Sequence, residues 1–152
     1  MVCMACNHGT VYNQYESTSL KGWERNDTIT FQTEAMQRSG YYLEEVGLCI
    51  NGEYPYMGLS LVVEQTVMPS GETHRDTLTC HLTDKEGNTL GDGVNHFQYL
   101  FPLTTLKLEK DAKVHVAIHH CMKREILPGI MNVGVKLSHQ ITAGIQTKED
   151  KQ

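Results

Sequence analysis

Hydrophobic and polar positions alternate with a period of two over most of this chain, and the alternation is clearest between Asn51 and Leu82. Leu59, Leu61 and Val63 fall on one side of a run, with Ser60, Val62 and Glu64 on the other. Pro69-Ser70-Gly71 interrupts it, and Leu78, Cys80 and Leu82 then alternate with Thr77, Thr79 and His81. Successive side chains of a strand point to opposite faces, so the two runs predict an antiparallel hairpin with one buried face, central to a sandwich. Further strands are predicted over Asp27–Ala35, Tyr41–Ile50, the Phe97/Tyr99/Phe101 run closed by Pro102, the Val114/Val116/Ile118 run and Met131–Leu137. Between them, Thr83 to Gly93 is a glycine- and asparagine-rich connection that suits positive φ. Trp23 is expected to cap one end of the core. No 3.6-residue period competes with this rhythm, so the fold is expected to be all-β. It reads as an antiparallel sandwich, jelly-roll or immunoglobulin-like, of about seven or eight strands.

Composition narrows the function classes. A length of 152 residues suits one domain with a real core. A net charge of −5 and the lack of a Lys/Arg-rich block argue against nucleic acid as a partner. No apolar run reaches 18 residues, so no helical membrane span is predicted. Cys3 and Cys6 have C-x-x-C spacing, but the helix that would lower a thiol pKa does not follow them. Cys49, Cys80 and Cys121 lie in strand-like runs and read as buried free thiols, with a disulfide between two of them the alternative.

Candidate chemistry is sparse. His115 and His119 share a strand face but stand ~13 Å apart at ~3.3 Å per residue, too far for one metal. The eight histidines therefore read as solvent-facing side chains of the outer sheet. Asp84, Glu86, Asn88 and Asp92 supply oxygens in the acidic connection, but Gly87 is misplaced for an EF-hand loop, leaving only a looser calcium site. No serine sits in G-x-S-x-G, and Glu44 and Glu45 are adjacent in a strand and so face opposite ways. Neither a catalytic group nor a cofactor is assigned. Tyr54, Pro55 and Tyr56 in a loop, with Trp23, form a possible aromatic surface for a protein or glycan.

Four stretches resemble a known family. They are Cys6 with Val11-Tyr12-Asn13-Gln14-Tyr15, Gly22-Trp23 and Asp27; Tyr54-Pro55-Tyr56 leading into Leu59-Ser60-Leu61; Asp84, Gly87-Asn88, Leu90-Gly91 and Gly93; and His120-Cys121-Met122, Leu127-Pro128-Gly129-Ile130 and Val133-Gly134-Val135. In order and spacing they resemble the gliding motility lipoprotein GldH family of Bacteroidetes. The resemblance implies a non-enzymatic envelope protein, accessory to the apparatus for gliding and its associated secretion, with other envelope proteins as partners. It also implies that Cys6 carries the lipid that anchors the chain in a membrane. On that reading residues 1–6 are the remnant of a lipoprotein signal ending in Cys6, 7–22 a tether, 23–138 the sandwich and 139–152 a flexible tail. Asn7-His8-Gly9-Thr10 holds no acidic cluster beside the cysteine, which favours a periplasm-facing domain over a surface-exported one. The rival from another class is a carbohydrate-binding sandwich of the envelope that stacks sugars on Tyr54, Tyr56 and Trp23.

Overall fold

A computed structural model of the protein describes residues 9–140. They form ten strands: β1 (Thr10–Ser17), β2 (Trp23–Glu24), β3 (Ile29–Gln32), β4 (Gly40–Asn51), β5 (Gly58–Met68), β6 (Glu72–His81), β7 (His96–Leu108), β8 (Lys113–His120), β9 (Ile126–Leu127) and β10 (Ile130–His139). Two four-stranded sheets, in the orders β1-β10-β4-β7 and β3-β8-β5-β6, enclose the core, and β2 pairs with β9 beside them. Every pairing is antiparallel. The all-β sandwich is therefore the fold.

The period-two faces decide which side chains meet. Leu59, Leu61 and Val63 of β5 are buried beside Val114, Val116 and Ile118 of β8, while Val46, Leu48 and Ile50 of β4 and Val133, Val135 and Leu137 of β10 supply the opposite wall. At ~25 cal/mol per Å² of apolar surface removed from water, this interior is the main source of stability.

Three features of the strands differ from the sequence expectation. The hairpin exists, with Gly58 paired to His81 and Val67 to Glu72, but only β5 is interior; β6 is the edge of its sheet. Pro102 does not end its strand. β7 runs on to Leu108, because the register with β4 slips between Thr104 and Pro102 and leaves Leu103 unopposed. β7 is an edge strand, where a residue without an N–H and a bulge are both tolerated. Finally, the first sheet begins at Thr10, inside the stretch expected to be a tether. β1 pairs with β10 from Thr10 to Ser17, although Val11 is its one aliphatic residue.

Tyr15 explains how such a strand is held. Gly47 and Gly134 are cross-strand partners, and together they leave a lane on the outer face of the sheet. A Cβ on Gly134 would lie 2.6 Å from Tyr15 Cδ2, and one on Gly47 would lie 2.2 Å from the Tyr15 hydroxyl. The tyrosine ring thus fills the space that two missing side chains vacate. Gly134→Ala is expected to expel the ring and cost roughly 1–3 kcal/mol. Denaturation of Gly134→Ala, Tyr15→Ala and the double variant checks this: the two losses should not add, and simple additivity would show that ring and lane are independent.

Candidate functional site

Of the aromatic surface expected from the sequence, the structure leaves half outside. Trp23 is fully buried, its indole N–H donating to the Asp27 carbonyl at 2.8 Å. Tyr54 is buried too, and its hydroxyl donates to the Gly58 carbonyl at 2.7 Å. Its ring meets Tyr56 edge to face, with centroids 5.7 Å apart. Gly129 makes this packing possible, since its Cβ position lies 2.4 Å from the Tyr54 nitrogen and its φ is +87°. Pro55 and Tyr56 are the exposed members, beside exposed Met57. Neither Trp23 nor Tyr54 has a free ring face to offer a sugar.

The acidic connection is a turn closed on itself. Asp84 Oδ1 accepts the backbone N–H groups of Glu86 at 2.9 Å and Asn88 at 2.8 Å, and Oδ2 accepts the Asn88 side-chain amide at 3.2 Å. The Asn88 backbone bond is the chief reason the Asp84 carboxyl is held below its usual range. Asp92 belongs to a separate bridge, opposite Gln98. Glu86 is exposed. Among the described residues, no three His, Cys, Asp or Glu side chains converge on a point where a metal could sit.

The thiols separate by environment. Cys80 is buried, and that burial pushes its thiol up to about 12. Cys49 is half-buried, and Cys121 is exposed rather than buried because it follows the last residue of β8. All three are free. Cys3 and Cys6, the latter expected to bear the lipid, lie outside the described residues, as does nearly all of the expected tail.

A histidine and a glutamate are buried in the core, and the first departs from the sequence expectation. His120 is buried, not solvent-facing. It continues the inward series Val114, Val116, Ile118, and that parity was legible in the sequence. Its Nε2 lies 3.0 Å from the Trp23 carbonyl and 3.2 Å from that of Glu125, while Nδ1 accepts the Met122 N–H at 3.3 Å. These contacts fit the neutral tautomer protonated at Nε2, and burial pulls the imidazole below its ordinary pKa. Trp23 packs edge to face on the same ring at 5.3 Å. His120 is thereby a joint that ties β2, β8 and the loop before β9 together.

The other is Glu44, fully buried on β4. Gln65, also fully buried, donates from Nε2 to Glu44 Oε1 at 2.7 Å across the two sheets. The same nitrogen lies 3.4 Å from Asp76 Oδ2 on β6. Burial pushes the Glu44 carboxyl up to about 7, against the Gln65 hydrogen bond and with a smaller contribution from the Asp76 charge.

The family model described as GldH lipoprotein matches residues 10–137, from the first residue of β1 to within two residues of the end of β10. This chain belongs to the GldH lipoprotein family. A GldH relative, the gliding motility lipoprotein GldH of Flavobacterium johnsoniae, is 26% identical over 147 residues, covering 92% of this chain and 91% of its own. A gliding motility lipoprotein GldH homolog of Christiangramia forsetii is 25% identical over 142 residues, covering 88% and 86%. Among solved structures, a family GH115 4-O-methyl-α-glucuronidase with specificity for decorated arabinogalactans shares the fold at a TM-score of 0.50 and 12% identity. That likeness covers 86% of this GldH chain but 18% of the glucuronidase, and it bears on fold alone.

Proposed function

We propose that the protein is a non-enzymatic, lipid-anchored component of the cell envelope. It binds other envelope proteins in the apparatus for gliding motility and its associated secretion. Cys6 is the acylated residue, and the sandwich faces the periplasm. The observation that carries this reading is the extent of the family match: residues 10–137 take in all but the tip of the folded domain, not one motif within it. The relatives that support it are named as gliding motility lipoproteins.

The anchor follows from simple energetics. Several acyl chains on one cysteine, each CH₂ stabilising insertion by ~0.8 kcal/mol, hold a domain at a bilayer where a single chain would not. Covalent geometry sets the reach: the four residues from Cys6 to Thr10 span at most ~14 Å at ~3.3–3.6 Å each. Since β1 begins at Thr10, the sheet edge would sit close to the lipid surface, and partners would meet the protein there.

Cys6→Ala in the full-length precursor, expressed in its host, should shift most of the protein from the membrane to the soluble fraction. Mass spectrometry of the wild type should find the acyl groups on the peptide that contains Cys6. Unchanged fractionation together with an unmodified thiol would refute the anchor.

A further inference from the structure

Apart from Thr33 and His120, the buried polar side chains of the core lie along one row. Glu44 of β4 is the cross-strand partner of Thr104 on β7, and Gln65 of β5 is the partner of His74 on β6, with Asp76 next along the same face of β6. The row therefore runs from the middle of the sandwich to its open side between the edge strands β6 and β7. There His74, Asp76 and Thr104 line a cleft of about 810 Å³.

Two buried acceptors along the row have no donor. An amide has two N–H groups, and those of Gln65 face Glu44 Oε1 and Asp76 Oδ2. Glu44 Oε2 and Gln65 Oε1 remain, both buried and without a partner. If Glu44 were ionised, both would be bare acceptors sealed away from water, an arrangement that costs several kcal/mol. The amide has no further proton to give. A carboxyl does, on Oε2.

We propose that Glu44 is held as the neutral acid in the folded protein and serves as a proton-operated latch between the two sheets, whose release frees β6 and opens the cleft between β6 and β7. On release the Oε2–H bond breaks and the proton passes to solvent on the cleft side. Two carboxylates, Glu44 and Asp76, are then left sharing one amide.

The groups facing Glu44 support this. Gln65 from β5, Thr104 from β7 and Leu137 from β10 are uncharged. β6 presents Asp76 and, beyond it, His74, which contacts Glu72 at 3.2 Å. Lys107, Glu109 and Lys110 line the same cleft, of mixed sign. The full charge nearest along the hydrogen-bonded row is thus the Asp76 carboxylate, which opposes a second negative charge.

Carboxyl-detected NMR of the wild type should show Glu44 titrating with a midpoint near neutrality, and Asp76→Asn should lower that midpoint. Amide exchange along β6, corrected for its intrinsic pH dependence, should accelerate several-fold between pH 6 and pH 8 in the wild type and stay constant in Glu44→Gln. A midpoint in the ordinary carboxyl range would overturn the proposal. So would an acceleration that persists in Glu44→Gln, or its absence from a wild type whose Glu44 does titrate. The wild-type titration remains decisive even if a variant fails to fold.

Discussion

Replacing Trp23 with alanine is expected to cost about 3–5 kcal/mol, a large part of the ~5–15 kcal/mol that holds a domain of this size together. The residue is fully buried although it belongs to a strand of only two residues. Little local hydrogen bonding therefore compensates for its loss. Three connections go together: the indole N–H to the Asp27 carbonyl, the edge-to-face contact with His120, and the packing beside Leu127, which pairs with Trp23 across β2 and β9. The cavity also strips cover from His120, whose three backbone contacts depend on staying dry. Trp23→Phe keeps most of the ring and forfeits the N–H bond, so it should lose distinctly less. Because Trp23 is the chain's one tryptophan, its variants should be followed by far-ultraviolet circular dichroism during denaturation rather than by fluorescence. A Trp23→Ala midpoint that matches the wild type would mean that this end of the sandwich is held by other contacts.

Much of the fold was legible in the residues because the interior strands have clean parity. Val114, Val116 and Ile118, or Val46, Leu48 and Ile50, announce their faces without help. The edges were harder to read. β1 covers the core chiefly with Tyr12 and rests its other large ring on a glycine lane, so nothing in Thr10–Ser17 alternates in hydrophobicity. Pro102 looks like a stop signal until the strand is known to lie at an edge with a bulge beside it. Tyr54-Pro55-Tyr56 does lie in a loop, but its sequence could not show that Gly129 lets Tyr54 turn inward. The buried polar row was half legible. Glu44 has the parity of Tyr42, Val46 and Leu48, which places it inside, and Gln65 has that of Leu61 and Val63. What parity cannot supply is the pairing of sheets, and only that pairing brings the Glu44 carboxyl to the Gln65 amide.

That pairing leads to a pH-dependent stability whose sign can be stated in advance. In the folded protein Glu44 keeps its proton up to about pH 7, whereas an unperturbed glutamate releases it near 4.5. Between those values the folded state binds more protons than the unfolded state, so stability falls as pH rises through this window and levels off above it. At ~1.36 kcal/mol per pH unit the loss is roughly 3 kcal/mol. Glu44→Gln is nearly isosteric, keeps an acceptor for Gln65 Nε2 and removes the titration. The variant should match the wild type near pH 4.5 and exceed it by about 2–3 kcal/mol at pH 8. His120 contributes a slope of the opposite sign, since its imidazole is shifted down by burial, but it is present in both proteins and cancels in the difference. Denaturant unfolding of the pair at intervals from pH 4.5 to pH 8 gives that difference directly. A difference that does not change with pH would mean that the Glu44 carboxyl ionises in the folded protein at its ordinary value, and that the two bare oxygens find donors elsewhere.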